Sequence, residues 1–155
     1  MKKYCLQVLL LISLLSFYAC SSPCGSNKDQ FMENFNAFME DMKAQELEKG
    51  SSKWQSYDNK LRTFIKECYP THKAKLSLSQ QKDFWIGTVG YFYARYGVGM
   101  LSRLGNMGDD LDELWTEVKT NLAELNIGVK DAIKTISDKW GVLQDIGKDL
   151  KKLFE

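Results

Sequence analysis

Apolar side chains recur at intervals of three and four residues through most of this chain, and this spacing predicts helices. It places the apolar residues on one face of a helix, whereas a half-buried strand would need strict alternation. Only 2 of the 155 residues are proline, so few positions oppose long helices. With 44% apolar and 26% charged residues, the composition is typical of a globular domain. The sequence therefore predicts an all-α protein.

Residues 28–105 are expected to form a three-helix domain. The first helical pattern runs over residues 28–49 and the second from Ser52 to Tyr69, where Pro70 is expected to stop it because proline restricts the residue before it and has no N–H. These two helices would form an antiparallel hairpin. Their apolar positions are Phe31, Phe35, Phe38, Met39 and Met42, followed by Trp54, Tyr57, Leu61, Phe64, Ile65 and Cys68.

The third helix is expected to begin at Ser77, because Ser77 and Gln80 have the spacing of a capping box. It would run to Leu101, and Arg95 is the one charged residue from Phe84 onward. An arginine near the middle of this stretch, three tyrosines and four glycines favour a packed helix over a membrane span. Glycine destabilises a helix interior, so close approach of another helix is the expected reason for the glycines at 87, 90, 97 and 99.

Residues 109–155 carry a second pattern, an amphipathic one of heptad type. Its apolar seam is expected to lie along a partner, either the rest of this chain or another copy, as one long helix or a helix pair. The seam shifts by one step near Gly128, which is the expected bend or break. Its members are Leu111, Trp115, Val118, Leu122 and Leu125, then Val129, Ile133, Ile136, Trp140, Leu143, Leu150 and Phe154.

The first nineteen residues read as a removable signal peptide. Lys2 and Lys3 precede a short apolar stretch that ends at Ala19, directly before Cys20. The apolar stretch is shorter than the ~20 residues that a membrane-spanning helix needs. A small residue before a cysteine, followed by a polar segment, resembles a bacterial lipoprotein signal, in which Cys20 becomes the acylated N-terminus. An ordinary secretory signal cut after Ala19 and an uncleaved anchor are the alternatives. Residues 20–27 would form a flexible lipidated linker.

Two further cysteines remain in the mature chain, Cys24 and Cys68. Export to an oxidising compartment permits a disulfide, and an antiparallel hairpin would return Cys68 to the vicinity of Cys24. The alternative is a free linker thiol at Cys24 and a small buried apolar residue at Cys68. The sequence leaves these two possibilities open.

Several of these residues also carry a resemblance. Phe31, Phe35 and Phe38, the Trp54-x-x-x-Asp58 step, Glu67-x-Tyr69 followed by Lys73, the Leu76-Ser77 entry and the tyrosine-rich third helix resemble a family of small Bacteroidetes lipoproteins. The resemblance covers residues 28 to about 104. It implies an all-helical domain of unknown function and a lipid-anchored envelope location. The segment Ser21 to Ser26 lacks the acidic residues of surface-exported lipoproteins, so an outer-membrane position facing the periplasm is expected.

No catalytic or cofactor-binding residue is predicted. His72 is the one histidine, and a solvated position in a polar connection is expected for it rather than a catalytic role. Two thiols and one histidine lack the spacing of a zinc site, so no metal is predicted. The four tryptophans, Trp54, Trp85, Trp115 and Trp140, are expected in the core or seam, and a ligand-binding aromatic pocket is the alternative. A net charge of +1 gives no basic patch for nucleic acid.

The expected function is non-enzymatic: a lipid-anchored envelope protein that binds a protein partner or a second copy of itself through helical surfaces, with residues 109–155 as the expected interaction element. Two alternatives remain open. Residues 129–155 could lie in the membrane interface as an amphipathic helix. The chain could also be an envelope enzyme of unknown class.

Overall fold

The computed structural model describes residues 22–48, 50–97 and 109–140. Within these ranges the regular elements are all helical, and none is a strand. The predicted all-α class is therefore confirmed. We label the α-helices α1 (Lys28–Ala44), α2 (Trp54–Thr63), α3 (Tyr69–His72), α4 (Leu78–Tyr96), α5 (Asp109–Glu124) and α6 (Val129–Trp140).

Helix α1 begins at Lys28, as predicted, directly after an asparagine that caps it. The Asn27 side-chain oxygen accepts hydrogen bonds from the backbone N–H groups of Asp29 and Gln30, both at 3.0 Å. The helix ends at Ala44, before the expected end at residue 49. Glu46 has a φ of 45°, and this left-handed conformation turns the chain out of the helix.

The prediction that Pro70 stops the second helix is wrong. Between α2 and α3 the chain forms a π-helical turn over Phe64–Cys68, in which the N–H of Tyr69 donates to the carbonyl of Phe64. Pro70 falls in the first turn of α3, where the missing N–H would have no helical partner anyway. The helical segment that begins with α2 therefore continues through the proline to His72 and, by a 3-10 turn, to Lys75. We call this continuous segment, residues 54–75, the α2–α3 rod.

Helix α4 has the predicted capping box. Ser77 Oγ accepts from the N–H of Gln80 at 3.2 Å, and the Gln80 side chain accepts from the N–H of Ser77 at 3.0 Å. The helix ends at Tyr96 rather than at residue 101, because Gly97 has a φ of 67° that glycine adopts without strain. Gly97 therefore ends the helix and is not a packing glycine. Gly99 and Leu101 lie outside the described residues.

The predicted break near Gly128 is present, and a different residue makes it. Asn126, with a φ of 54°, takes the left-handed position after α5. The N–H of Ile127 donates to the Leu122 carbonyl and that of Asn126 to the Ala123 carbonyl, which is a Schellman motif. Asparagine tolerates this conformation better than most residues other than glycine. Helices α5 and α6 are therefore a helix pair.

The core joins α5 and α6 to the helices that precede them. The Trp115 ring packs edge-on against Phe92 of α4 at 5.1 Å between centroids, and both side chains are buried. The described part of the seam, residues 111–140, thus packs against the rest of this chain, which was one of the two expected partners. The tryptophans at 54, 85 and 115 are buried, as predicted. The seam residues after Trp140 lie outside the described part.

Two glycines of α4 allow the close approach that was predicted. A methyl group on Gly87 would lie 2.8 Å from the Phe35 ring, and one on Gly90 would lie 2.5 Å from the Trp140 ring. Glycine at these positions lets α1 and α6 pack directly on the backbone of α4. Across the three described ranges, no helix combines the length and apolar character needed to cross a bilayer.

Candidate functional site

An aromatic cleft of about 450 Å³ opens at the end of the body where α1 and α4 finish. Its volume falls in the range of small-ligand sites, about 300–1,000 Å³. Three aromatic side chains from different helices form its walls, with aliphatic residues between them and two charged side chains beside them. The lining residues are Met42, Lys43, Glu46, Leu47, Trp54, Tyr93, Ala94 and Trp140. We call this surface the aromatic cleft and this end of the body the cleft pole.

The Trp140 wall depends on Gly90. The absence of a side chain at Gly90 lets the six-membered ring of Trp140 lie against the α4 backbone, beside Ile136. On its other side, the Lys43 ammonium lies 5.2 Å from the centroid of the Trp140 ring. This separation is within the range of a cation–π interaction. Helices α1, α4 and α6 thus fix the ring jointly.

The Trp54 wall is held by its own hydrogen bond and by a charged group. Its indole N–H donates to the carbonyl of Glu48 at 2.9 Å. The Arg95 guanidinium carbon lies 5.1 Å from the centroid of the Trp54 ring. Trp54 is only 2% exposed, so these contacts leave its indole little freedom to move.

Behind Trp54 lies a polar cluster of Asp58, Tyr91 and Arg95. The Tyr91 hydroxyl donates to Asp58 Oδ1 at 2.5 Å, and Arg95 Nε lies 3.7 Å from the same oxygen. The side chains of Asp58 and Arg95 are 17% and 19% exposed. A hydrogen bond and an ion pair together compensate a carboxylate that is largely removed from water.

The ionisation of this cluster follows from its burial. Burial raises the pKa of the Asp58 carboxyl, against the opposing effects of the Tyr91 hydrogen bond and the Arg95 and Arg62 charges. Burial, and then the neighbouring Asp58 carboxylate, raises the pKa of the Tyr91 hydroxyl far above its usual value. Tyr91 therefore keeps its proton at neutral pH and acts as a hydrogen-bond donor that positions Asp58.

The sequence analysis missed this cluster, although two features indicated it. Arg95 is the one charge in α4 from Phe84 onward, and such a residue needs an acidic partner when this part of the helix is buried. Asp58 lies four residues after Trp54, on the same face of α2. What the sequence could not provide is the pairing of α2 with α4, which brings Asp58 to Tyr91.

At the opposite end of the body, Cys24 and Cys68 form a disulfide. Residues 22–30 and 68–82 surround it, and we call this end the disulfide pole. His72 lies here, 3% exposed, with its ring stacked on Phe31 at 5.3 Å between centroids. The prediction of a solvated His72 is therefore wrong, because the rod that continues past Pro70 carries the ring into the core.

His72 has one polar contact, from Nε2 to the carbonyl of Cys24 at 2.9 Å. Its Nδ1 is buried and has no hydrogen-bond partner among the described residues. The ring is therefore enclosed at the disulfide pole and does not line the aromatic cleft. Among residues 22–48, 50–97 and 109–140 no three histidine, cysteine or acidic side chains converge as metal ligands would. Cys20, the predicted acylation site, lies outside the described residues.

No protein-family model, no curated protein and no solved structure matches this chain.

Proposed function

We propose that this chain is a lipid-anchored protein of the bacterial envelope that acts by binding, and that it takes an apolar side chain of a protein partner into the aromatic cleft. The aromatic cleft is the observation that carries the proposal. Its aromatic walls provide apolar contact area, and Lys43 and Glu46 can orient the polar groups of a partner. A partner side chain that enters a cleft whose walls are already fixed costs little ordering of this protein.

The buried ionisable groups support binding over catalysis. Asp58, Tyr91 and Arg95 interact with one another behind Trp54, and none of the three lines the aromatic cleft. A general acid or base must reach the atom whose proton it transfers. These groups serve instead to hold the Trp54 wall.

The N-terminal sequence supports the anchor. Lys2 and Lys3, the short apolar stretch and the Ala19-Cys20 step are typical of a lipoprotein signal. Acylation of Cys20 would hold the helical body at a membrane, and we place it at the outer membrane facing the periplasm. Two or more acyl chains bind a bilayer far more firmly than a single chain does.

The described part of the C-terminal segment does not offer a free apolar face. Ala132, Ile133 and Ile136 of α6 are buried in the core. Over Val129–Trp140, the face that a lipid surface or a second copy would contact is therefore covered. We accordingly place the binding site at the aromatic cleft rather than along this seam.

The anchor is tested by metabolic labelling with a clickable palmitate. The full-length chain should be labelled and should fractionate with membranes, and the Cys20→Ser variant should lose both properties. A labelled Cys20→Ser variant, or an unlabelled natural chain, would refute the anchor.

The binding site is tested by photo-crosslinking in intact cells. A photoreactive residue at Glu46, at the edge of the cleft, should give a discrete adduct that the additional substitution Tyr93→Ala abolishes. The same residue at Glu33, exposed on α1 away from the cleft, is the matched control and should give no such adduct. An adduct that forms equally at Glu33 or survives Tyr93→Ala would contradict the proposal, as would the absence of any adduct at Glu46.

A further inference from the structure

Residues 22–27, expected to belong to a flexible linker over residues 20–27, are bound to the helical body. The carbonyls of Ser22 and Pro23 accept from the Asn34 side chain at 3.4 and 3.2 Å. The Ser22 carbonyl also accepts from the N–H of Gly25 at 2.9 Å. Residues 22 and 23 are thus already bound to α1.

The next residues are held more firmly. Cys24 is bonded to Cys68, and its carbonyl lies 2.9 Å from Nε2 of the buried His72. The Gln30 side chain accepts from both the N–H and the hydroxyl of Ser26, at 2.9 and 2.8 Å. A covalent bond and several hydrogen bonds therefore fix residues 24–27 to the disulfide pole, and the Asn34 side chain holds residues 22 and 23 against the adjoining flank of α1.

Only Ser21 separates Cys20 from Ser22. Consecutive Cα atoms are about 3.8 Å apart, so the Cα atom of Cys20 lies within about 8 Å of that of Ser22. An acyl group on Cys20 would consequently hold the helical body directly at the bilayer surface. The tether is too short for the body to move freely above the membrane.

The surface of the disulfide pole suits such a position. Leu78, at the start of α4, is the large apolar side chain that the described residues leave exposed, at 60%. The Lys28 ammonium lies 3.5 Å from Gln80 Oε1 in the first turn of α4, and Lys73 belongs to the 3-10 turn before that helix. These two lysines are paired with the exposed Asp29 and Glu124, at 3.4 and 3.2 Å. Lys75 is exposed and has no acidic partner in the described ranges.

The side of α1 that faces solvent has the opposite character. Glu33, Glu40 and Asp41 are all exposed there; Glu40 is paired with Lys43, and Asp41 accepts a hydrogen bond from the Tyr57 hydroxyl at 2.8 Å. If the body lay flat on this side, these carboxylates would face anionic headgroups, which is unfavourable. Standing on the disulfide pole avoids this repulsion and places Leu78 and Lys75 at the headgroups.

We propose that the disulfide pole is a membrane-contact surface, with Leu78 and Lys75 resting on an anionic bilayer and the aromatic cleft held at the far end of the body. This inference rests on the acylation of Cys20 in the proposed function. It restricts the partner to a protein that lies in or at the same membrane, because the short tether keeps the cleft within about one domain diameter, about 35 Å, of the bilayer.

The test uses the mature chain from Cys20 onward, in which Cys20 is the one free thiol once Cys24 and Cys68 are bonded. Cys20 is coupled to a maleimide phospholipid in phosphatidylcholine vesicles that contain phosphatidylglycerol and an acceptor-labelled lipid. A donor dye is placed at Lys75 or at Lys53, which lie at opposite ends of the α2–α3 rod, about 30 Å apart at 1.5 Å per residue.

Energy transfer should be severalfold higher from position 75 than from position 53. Insertion of about 20 Gly and Ser residues after Ser21, with a root-mean-square span of about 25 Å, should largely remove this difference. Equal transfer from the two positions without the insertion would overturn the proposal, and so would a difference that the insertion leaves unchanged.

The contact residues are tested separately. Leu78→Glu should reduce the difference in energy transfer between positions 75 and 53 on vesicles with phosphatidylglycerol. Ser79→Glu adds the same charge at an exposed neighbouring position, and this matched control should leave the difference unchanged. If the two variants behave alike, Leu78 does not contact the bilayer. Because coupling through maleimide replaces biological acylation, these outcomes are independent of the palmitate labelling that tests the anchor itself.

Discussion

The two ends of the helical body close in different ways. At the disulfide pole, the side chains of Asn27 and Ser77 bind the free backbone N–H groups at the starts of α1 and α4. A disulfide also joins the segment before α1 to the π-helical turn. At the cleft pole, α1 ends at Ala44 and α4 at Tyr96, the left-handed residues Glu46 and Gly97 follow them, and a cavity remains between the helices. The comparison teaches that one bundle can have a closed end suited to attachment and an open end suited to binding.

The largest loss of stability is expected when the disulfide at the disulfide pole is removed. Replacement of both Cys24 and Cys68 by serine should lower the free energy of unfolding by about 4 kcal/mol, because the bond closes a loop across 44 residues of sequence separation. Denaturant unfolding of the oxidised, reduced and substituted proteins measures it. Identical midpoints for the oxidised and reduced natural chains would show that the bond does not stabilise this pole.

The next largest loss of stability is expected from a substitution at the cleft pole. Gly90→Ala should destabilise the protein by about 2 to 3 kcal/mol, because the new methyl group displaces the Trp140 ring and outweighs the better helix propensity of alanine. Gly50→Ala is the matched control, since nothing lies within 4 Å of its added methyl group. Thermal unfolding and tryptophan fluorescence follow both variants. An equally mild effect of the two substitutions would contradict the packing of Trp140 on α4.

A smaller effect concerns the polar cluster behind Trp54. Tyr91→Phe should cost about 2 kcal/mol, because it leaves the partly buried Asp58 carboxylate without its closest donor. Tyr57→Phe, which removes an exposed hydroxyl from Asp41, should cost much less. Chemical denaturation of the two variants at neutral pH makes the comparison. Similar losses would mean that burial does not distinguish these two tyrosine–aspartate pairs.

The burial of Asp58 also predicts how the stability of the protein depends on pH. The folded-state pKa of Asp58 is raised by burial, so its contribution to stability is complete below the unfolded pKa, about 3.9, and is lost as the pH rises through the folded value. The stability of the natural chain relative to Asp58→Asn should therefore decrease as the pH rises from below 3.9 through that folded value. A relative stability that increases over this window would reverse the sign. Unfolding curves over this pH range provide the measurement.

The smallest expected loss of stability comes from an ion-pair cluster between the two poles. Lys66 in the π-helical turn pairs with Glu113 and Glu117 of α5, at 2.8 and 2.7 Å. These side chains are partly exposed, so Lys66→Met should cost no more than about 1 kcal/mol, and high salt should remove most of the difference. A loss that is large and independent of salt would indicate a packing role for the side chain instead.

Local signals predicted much of the fold, and particular residues show where they fail. The Asn27 cap and the Ser77 capping box were predictable because a helix start depends on residues within one turn. Pro70 was misread because a proline in the first turn of one helix resembles a proline that ends another. The π-helical turn that resolves the ambiguity has no comparable sequence pattern.

The candidate site was less predictable than the fold. The spacing rules placed Trp54 and Trp140 at buried or seam positions without indicating that their edges form one cleft. The positions of Arg95 and Asp58 each suggested a need for a partner, but only the packing of α2 on α4 brings the two together. His72 was expected in solvent because its sequence neighbours are polar, whereas its spatial neighbours are Phe31 and the Cys24 carbonyl.

By itself, the sequence determined the helical class, the Asn27 and Ser77 caps and the buried faces of the helices, because these depend on residues a few positions apart. The second helix, expected from Ser52, begins at Trp54 without a side-chain cap. The tertiary structure alone decided that Cys24 meets Cys68, that Asn126 rather than Gly128 carries the left-handed turn, and that Gly90 receives Trp140. The physical reason is that such contacts join residues far apart in the chain, and their geometry depends on how whole helices pack.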